Sequence, residues 1–186
     1  TMEGENRYLV RSWFCGYLSN CIVHSATNVY KTVENIEQIY LSYPDKKKTT
    51  RIRKITSPAV SSILEDSVKY YLTPGSRIIR KLRTNFIVGA ENTERYTISI
   101  DHYFTEPYDK WDCDIMEIEY HDPSIMTIIN SRDIVNLLRK QNIEIDPIKV
   151  IKGISYDITN ISQFSNKSLA CVSTPITNPT NTVNIL

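Results

Sequence analysis

Charged side chains recur in this chain at alternate positions, sorted by sign. Glu3 and Glu5 precede Arg7, Arg51 is followed by Arg53, Lys81 by Arg83, and Glu117 by Glu119. Strand side chains alternate between two faces, so the members of each i, i+2 pair point the same way. One such pair is ordinarily the solvated face of an amphipathic strand; four of them sorted by sign constrain the fold more tightly. If the strands close into a barrel with these pairs inward, the lumen holds about four carboxylates and about five cations. Such an interior is not an apolar core, because buried charges need partners. It suits a polyanion with its metals, since cations neutralise phosphate oxygens and carboxylates ligate hard ions such as Mg²⁺ or Mn²⁺.

The overall charge hides this sorting. Across 186 residues, 22 Lys+Arg stand against 21 Asp+Glu, so no basic excess argues for a nonspecific nucleic-acid or membrane-surface binder. Locally the balance breaks. Six basic residues and one acidic lie between Asp45 and Lys54, a second basic stretch holds Arg77, Arg80, Lys81 and Arg83, and eight acidic residues and one lysine lie between Asp101 and Asp122. No apolar run approaches the roughly 18 residues of a spanning helix. The acidic, polar opening is the wrong start for a secretory signal. Cys15, Cys21, Cys113 and Cys171 form no CxxC pair and read as free thiols, consistent with a cytoplasmic location. Glycine-rich phosphate loops, a GxSxG elbow and an HExxH helix are all missing, which removes the best evidence for the common nucleotide, hydrolase and zinc-protease folds.

Twelve tyrosines and many isoleucines, set in short alternating runs, predict strands over Leu41–Ile55, Ile78–Val88, Arg95–Phe104 and Asp114–Tyr120. Tyr96, Ile98 and Ile100 face one way; Thr97, Ser99 and Asp101 face the other. Residues 89–94 read as a hairpin connection, so the sheet is expected to be antiparallel. Two stretches have helical spacing. One opens at Ser57-Pro58 and runs up to Pro74-Gly75; the other covers Ser131–Gln141, with an apolar stripe of Ile134, Val135, Leu137 and Leu138. One domain is expected over residues 1–172, followed by an extended or disordered tail over 173–186 that is polar and carries two prolines. Tyr17–Lys31 and Thr105–Asp112 read as divergent loops. Trp13, Trp111 and Tyr70-Tyr71 could supply stacking surfaces for bases, although aromatics are more often core.

Taken in order, these segments resemble the CYTH proteins, or triphosphate tunnel metalloenzymes. Glu3-Gly4-Glu5-Asn6-Arg7-Tyr8-Leu9-Val10 resembles their first-strand ExExK signature, and Glu37-Gln38-Ile39-Tyr40-Leu41 their QGYL segment. Arg51-Ile52-Arg53 is similar to the RxR strand, Lys81-Leu82-Arg83 to the KxR strand, Ile100-Asp101-His102-Tyr103 to the LDxF strand, and Met116-Glu117-Ile118-Glu119-Tyr120 to the ExE strand. Asp157-Ile158-Thr159 and the run from Phe164 to Ala170 look like the closing segments of bacterial members. The resemblance implies an α+β fold built on an antiparallel β-barrel, a triphosphate-binding tunnel with flanking helices. It also implies that Glu3, Glu5, Glu117 and Glu119 face divalent ions (Mg²⁺ or Mn²⁺) and act in catalysis, with Asp101 near the metal. Arg7, Arg51, Arg53, Lys81 and Arg83 would hold phosphate oxygens.

The chain departs from that pattern in three places. Arg7 replaces the lysine of ExExK, exchanging a compact ammonium for a planar fork. Only Lys54-Ile55-Thr56-Ser57 separates Arg53 from Pro58, where the family inserts two further strands, so the tunnel is expected to be thin on one side or open. Gln163 stands where bacterial members often have arginine. Two functions fit this reading. One is metal-dependent hydrolysis of tripolyphosphate, a nucleoside triphosphate or an RNA 5′-triphosphate. The other is a noncatalytic tunnel domain that binds or sequesters a nucleotide or an RNA 5′ end. A protein-interaction scaffold whose lumen charges merely pair with one another is a third. A monomer and a homodimer fit equally, and no membrane partner is expected.

Overall fold

The computed structural model describes residues 5–25, 28–42, 49–56, 77–89, 95–121 and 130–171. Seven strands make one sheet: β1 (Glu5–Arg11), β2 (Val29–Ser42), β3 (Thr49–Thr56), β4 (Ile79–Val88), β5 (Tyr96–Tyr103), β6 (Cys113–Tyr120) and β7 (Ile154–Asp157). Their order is β3-β2-β4-β5-β6-β1-β7, and every neighbouring pair is antiparallel. The helices are α1 (Phe14–Ser25), α2 (Ser131–Lys140), α3 (Pro147–Gly153) and the short α4 (Asn166–Ala170). The α+β class and the antiparallel pairing agree with the sequence. Full closure into a barrel does not occur: β3 and β7 stand at opposite edges, and among the described residues they do not pair with one another. A barrel needs two partners for every strand, and among the described residues β3 and β7 each have one.

Each side of the sheet has its own core. Tyr8, Val10, Phe86, Val88, Tyr96, Ile98, Ile100, Met116 and Ile118 form one buried face. Against it pack Phe14, Leu18 and Ile22 of α1, the stripe of α2, and Val150 of α3. Two helix starts on this side are defined locally. Asn130 caps α2 in a capping box with Asp133, and the Asp146 carboxylate accepts from the Ile148 N–H ahead of Pro147 in α3. The second cluster lies on the opposite face, at one end only, where Leu9, Tyr103 and Ile115 meet Tyr108, Trp111, Phe164, Leu169 and Ala170. Beyond that end the same face carries Arg7, Asn85, Ser99, Arg83, Asp101 and Glu117.

Several elements differ from the sequence reading. Residues 41–55 are not one strand but the end of β2 and most of β3. The expected loop over Tyr17–Lys31 is mostly α1, whose Phe14, Leu18 and Ile22 recur every four residues beneath a polar exterior. Within Thr105–Asp112, Tyr108 and Trp111 are packed into the second core. Trp111 is therefore no stacking platform, whereas Trp13 is 45% exposed. The helix expected from Ser57, residues 90–94 of the hairpin, Tyr70-Tyr71 and the 173–186 tail lie outside the described residues. No described helix is long and apolar enough to cross a membrane.

Gly153, at the end of α3, is required by close packing. A Cβ there would sit 2.6 Å from Phe14 Cδ1 and 3.2 Å from the Trp13 ring, and Phe14 is fully buried. Gly153→Ala is expected to destabilise the fold by about 1–3 kcal/mol through overpacking, read from the urea unfolding midpoint.

Candidate functional site

Strand register builds the polar face row by row. Arg7, Glu117, Ser99, Asn85 and Thr32 stand opposite one another across β1, β6, β5, β4 and β2. Two positions along, Asp101, Arg83 and Glu34 form the next row, and Tyr103, Lys81 and Ile36 the one after. Directly opposed residues share a face, so alternation in sequence becomes a two-dimensional array of charge.

At its centre is a five-residue ion cluster. Arg83 holds Asp101 with two parallel bonds, Nε to Oδ1 at 2.7 Å and Nη2 to Oδ2 at 2.8 Å. Lys81 Nζ approaches Asp101 Oδ2 at 2.8 Å. Arg83 Nη2 is also 3.6 Å from Glu117 Oε2, while the other oxygen of Glu117 accepts from Arg7 Nε at 3.2 Å. Lys81 and Asp101 have no side-chain exposure, whereas Arg7, Arg83 and Glu117 keep 13–15%. The pairs therefore grade from a sealed end to a wetted one.

Burial favours neutral forms here, and the cluster resists it. Burial by itself would raise the Asp101 pKa, but the Lys81 charge and the Arg83 bonds outweigh it and set the group at about 2. Burial pulls the Lys81 ammonium below its ordinary range, with the Asp101 carboxylate opposing. Arg83 stays charged because the bonds and charge of Asp101 exceed its own desolvation. Tyr103 is held well above its ordinary value, first by burial and then by Asp101. A carboxyl depressed in the folded state stabilises above its unfolded value of about 4 and loses that contribution as pH falls through its folded value. The melting temperature is expected to fall between pH 4 and 2, and Asp101→Asn should flatten that limb of the profile.

The expected site residues are thus partly assembled. Arg7, Lys81, Arg83, Asp101 and Glu117 converge. Glu119 is on the same face, one row beyond Glu117, and is exposed. Glu5 is opposite it by register on β1, and Glu3 lies outside the described residues. Arg51 and Arg53 are opposite Tyr40 and Gln38 at the β3 edge, on the far side of β2 from the cluster. Among the described residues no three histidine, cysteine or acidic side chains gather as a metal site. Asp101 has both oxygens committed to cations. Glu5, Glu117 and Glu119 are adjacent positions on two strands, and Glu117 is engaged by Arg7 and Arg83.

Sequence reasoning did not single out Asn166, Tyr103, Asn85 or Ser99. Asn166 Oδ1 accepts from Tyr103 OH at 2.9 Å and from Lys81 Nζ at 3.3 Å. Ser99 donates to Asn85 at 2.6 Å, and Asn85 donates to Thr32 and Glu34 at 3.2 and 3.3 Å. Ser99 was readable from period-two parity, as the residue two before Asp101. Asn166 was not, because it arrives from a helix 65 positions away from Asp101.

Two solved structures are similar to this chain over nearly its whole length. One, described as the hypothetical protein NE1496, is 15% identical, with 92% of this chain and 98% of that chain covered at a TM-score of 0.41. The other, described as the inorganic triphosphatase NE1496, is 14% identical, with 92% and 99% covered at a TM-score of 0.42. No family model matches the chain, and no curated protein matches it.

Proposed function

We propose that the chain binds the triphosphate group of a small polyphosphate or nucleotide across the polar face of its sheet and hydrolyses it with a divalent metal. The observation that carries this reading is the open end of the ion cluster: Arg7 and Arg83 converge from β1 and β4 on a single carboxylate, Glu117, at a partly wetted position. Two guanidiniums aimed at one oxyanion are positioned for a phosphoryl group, whose oxygens match their planar forks. Binding would exchange Glu117 for phosphate oxygens. Arg51 and Arg53 would extend the basic wall toward the β3 edge.

In this reading Arg83 and Arg7 orient the phosphate chain and offset charge as it builds on the transferring group. Glu3, Glu5, Glu117 and Glu119 would hold Mg²⁺ or Mn²⁺, which when bound polarises the phosphoryl oxygens. Asp101 stays with its cations and serves the arginine rather than the metal. No covalent nucleophile is required. The resemblance to the triphosphate tunnel proteins is consistent with the same chemistry.

A second reading rests on the open edge. Among the described residues β3 and β7 are not joined, and where a surrounding wall is open precise positioning is easier to lose than affinity. The chain would then sequester a nucleotide or an RNA 5′ end without turnover. One panel separates the readings: tripolyphosphate, nucleoside triphosphates and a 5′-triphosphorylated RNA, each with and without Mn²⁺, followed by melting shift and phosphate release. Hydrolysis predicts both signals; sequestration predicts stabilisation alone. No shift and no release with any of them would defeat both.

A further inference from the structure

Lys81 and Arg83 are two residues apart on one face of β4, yet their surroundings differ. The Lys81 side chain has no exposure and Arg83 keeps 13%. Lys81 Nζ is bounded by Asp101 Oδ2 at 2.8 Å, by Asn166 Oδ1 at 3.3 Å and by the Tyr103 ring, 5.6 Å from its centre. Asn166 is fixed in turn. Tyr103 OH donates to it, and it opens α4, whose Leu169 and Ala170 are buried in the second core. A phosphate oxygen could reach Nζ only by lifting α4 or displacing Asp101.

The charge balance makes the same distinction. Asp101 neutralises about one cation. Lys81, Arg83 and Asp101 therefore carry one net positive charge between them, and Arg83 is the member that reaches the wetted end. Without Lys81, the carboxylate would cancel Arg83 itself.

We infer that Lys81 is a positioning residue and not a phosphate ligand: it balances Asp101, which clamps Arg83 by both oxygens, so that Arg83 presents in a fixed orientation, at the open end of the face, the one net positive charge of the three. This rests on the anion-binding reading above and names how that site is built. Rigid presentation of a cation is what makes it effective toward an anion, since no ordering remains to be done on binding.

Tripolyphosphate titrated calorimetrically without metal into the unmodified chain, Lys81→Met and Lys81→Met/Asp101→Asn tests it. Lys81→Met should bind at least about 10-fold more weakly, the scale of a lost charge-assisted contact. The double variant, which removes both buried charges but keeps an amide oxygen at position 101 to accept from Arg83, should recover to within about 5-fold of the unmodified chain. A purely structural lysine would leave affinity unchanged in the single variant, and that result overturns the inference. So does a double variant more than 10-fold weaker than the unmodified chain, the result for a direct ligand. If Lys81→Met does not fold, Lys81→Gln takes its place with the same two outcomes. If neither folds, the ¹⁵N signal of Lys81 Nζ in the unmodified chain decides: it should show no scalar coupling to phosphorus in the complex, and a coupling would refute the assignment. Absence of binding by the unmodified chain, by contrast, would defeat the underlying reading as well.

Discussion

Asp101→Ala is expected to cost about 3–5 kcal/mol of folding stability, the penalty of breaking a buried ion pair from one side. The carboxylate accepts from Arg83 at 2.7 and 2.8 Å and faces Lys81 at 2.8 Å, with no exposure of its own side chain or that of Lys81. Alanine leaves an ammonium sealed behind α4, still beside Asn166 but without its paired carboxylate, and at neutral pH that group must lose its proton or open the structure. A single domain has only about 5–15 kcal/mol to lose, so the variant should sit near unfolding at 37 °C. Urea denaturation gives the value. The paired change Lys81→Met/Asp101→Asn should restore much of it, because a neutral pair of similar volume avoids the desolvation of two charges. A loss below about 1 kcal/mol for Asp101→Ala would place the pair in water and contradict the sealed geometry.

Glu117→Gln is expected to move binding and turnover in opposite directions. Glu117 accepts from Arg7 at 3.2 Å and lies 3.6 Å from Arg83, so in the resting chain it occupies the position proposed for a phosphoryl group. Neutralising it removes the competing anion and leaves both guanidiniums in place. Tripolyphosphate should then bind more tightly in the absence of metal, by roughly 10-fold for one charge-assisted contact no longer to be exchanged. Metal-dependent phosphate release should fall by on the order of 100-fold, because an amide is a poor ligand for a hard divalent ion and the several kcal/mol of charge stabilisation that the ion supplies would be weakened. Calorimetry and a phosphate-release assay on one preparation test both halves. Weaker binding in the variant would show that Glu117 does not compete with the anion. Unchanged release would remove it from the metal set.

The sign-sorted pairs were legible before any coordinates because strand parity is local. Tyr96, Ile98 and Ile100 were assigned to one face and Thr97, Ser99 and Asp101 to the other, and the described structure places the first set in the helix-covered core. The α2 stripe was legible for the same reason at a different period. α1 was overlooked because its polar residues obscured an apolar spacing of four. The short spacing between Arg53 and Pro58 led to the expectation of a thin or open side, and among the described residues β3 is an edge strand.

What sequence determined by itself was which side chains share a face and which sign each pair carries, because alternation depends only on backbone geometry within one strand. Only the tertiary structure decided which pairs meet. β1 could have joined any edge; its place between β6 and β7 is what sets Arg7 opposite Glu117. Likewise, nothing near Lys81 in sequence reports that Asn166 will cover it. Burial of one cation and exposure of its neighbour follow from where a distant helix lands, which is set by packing over the whole sheet and not by the residues themselves.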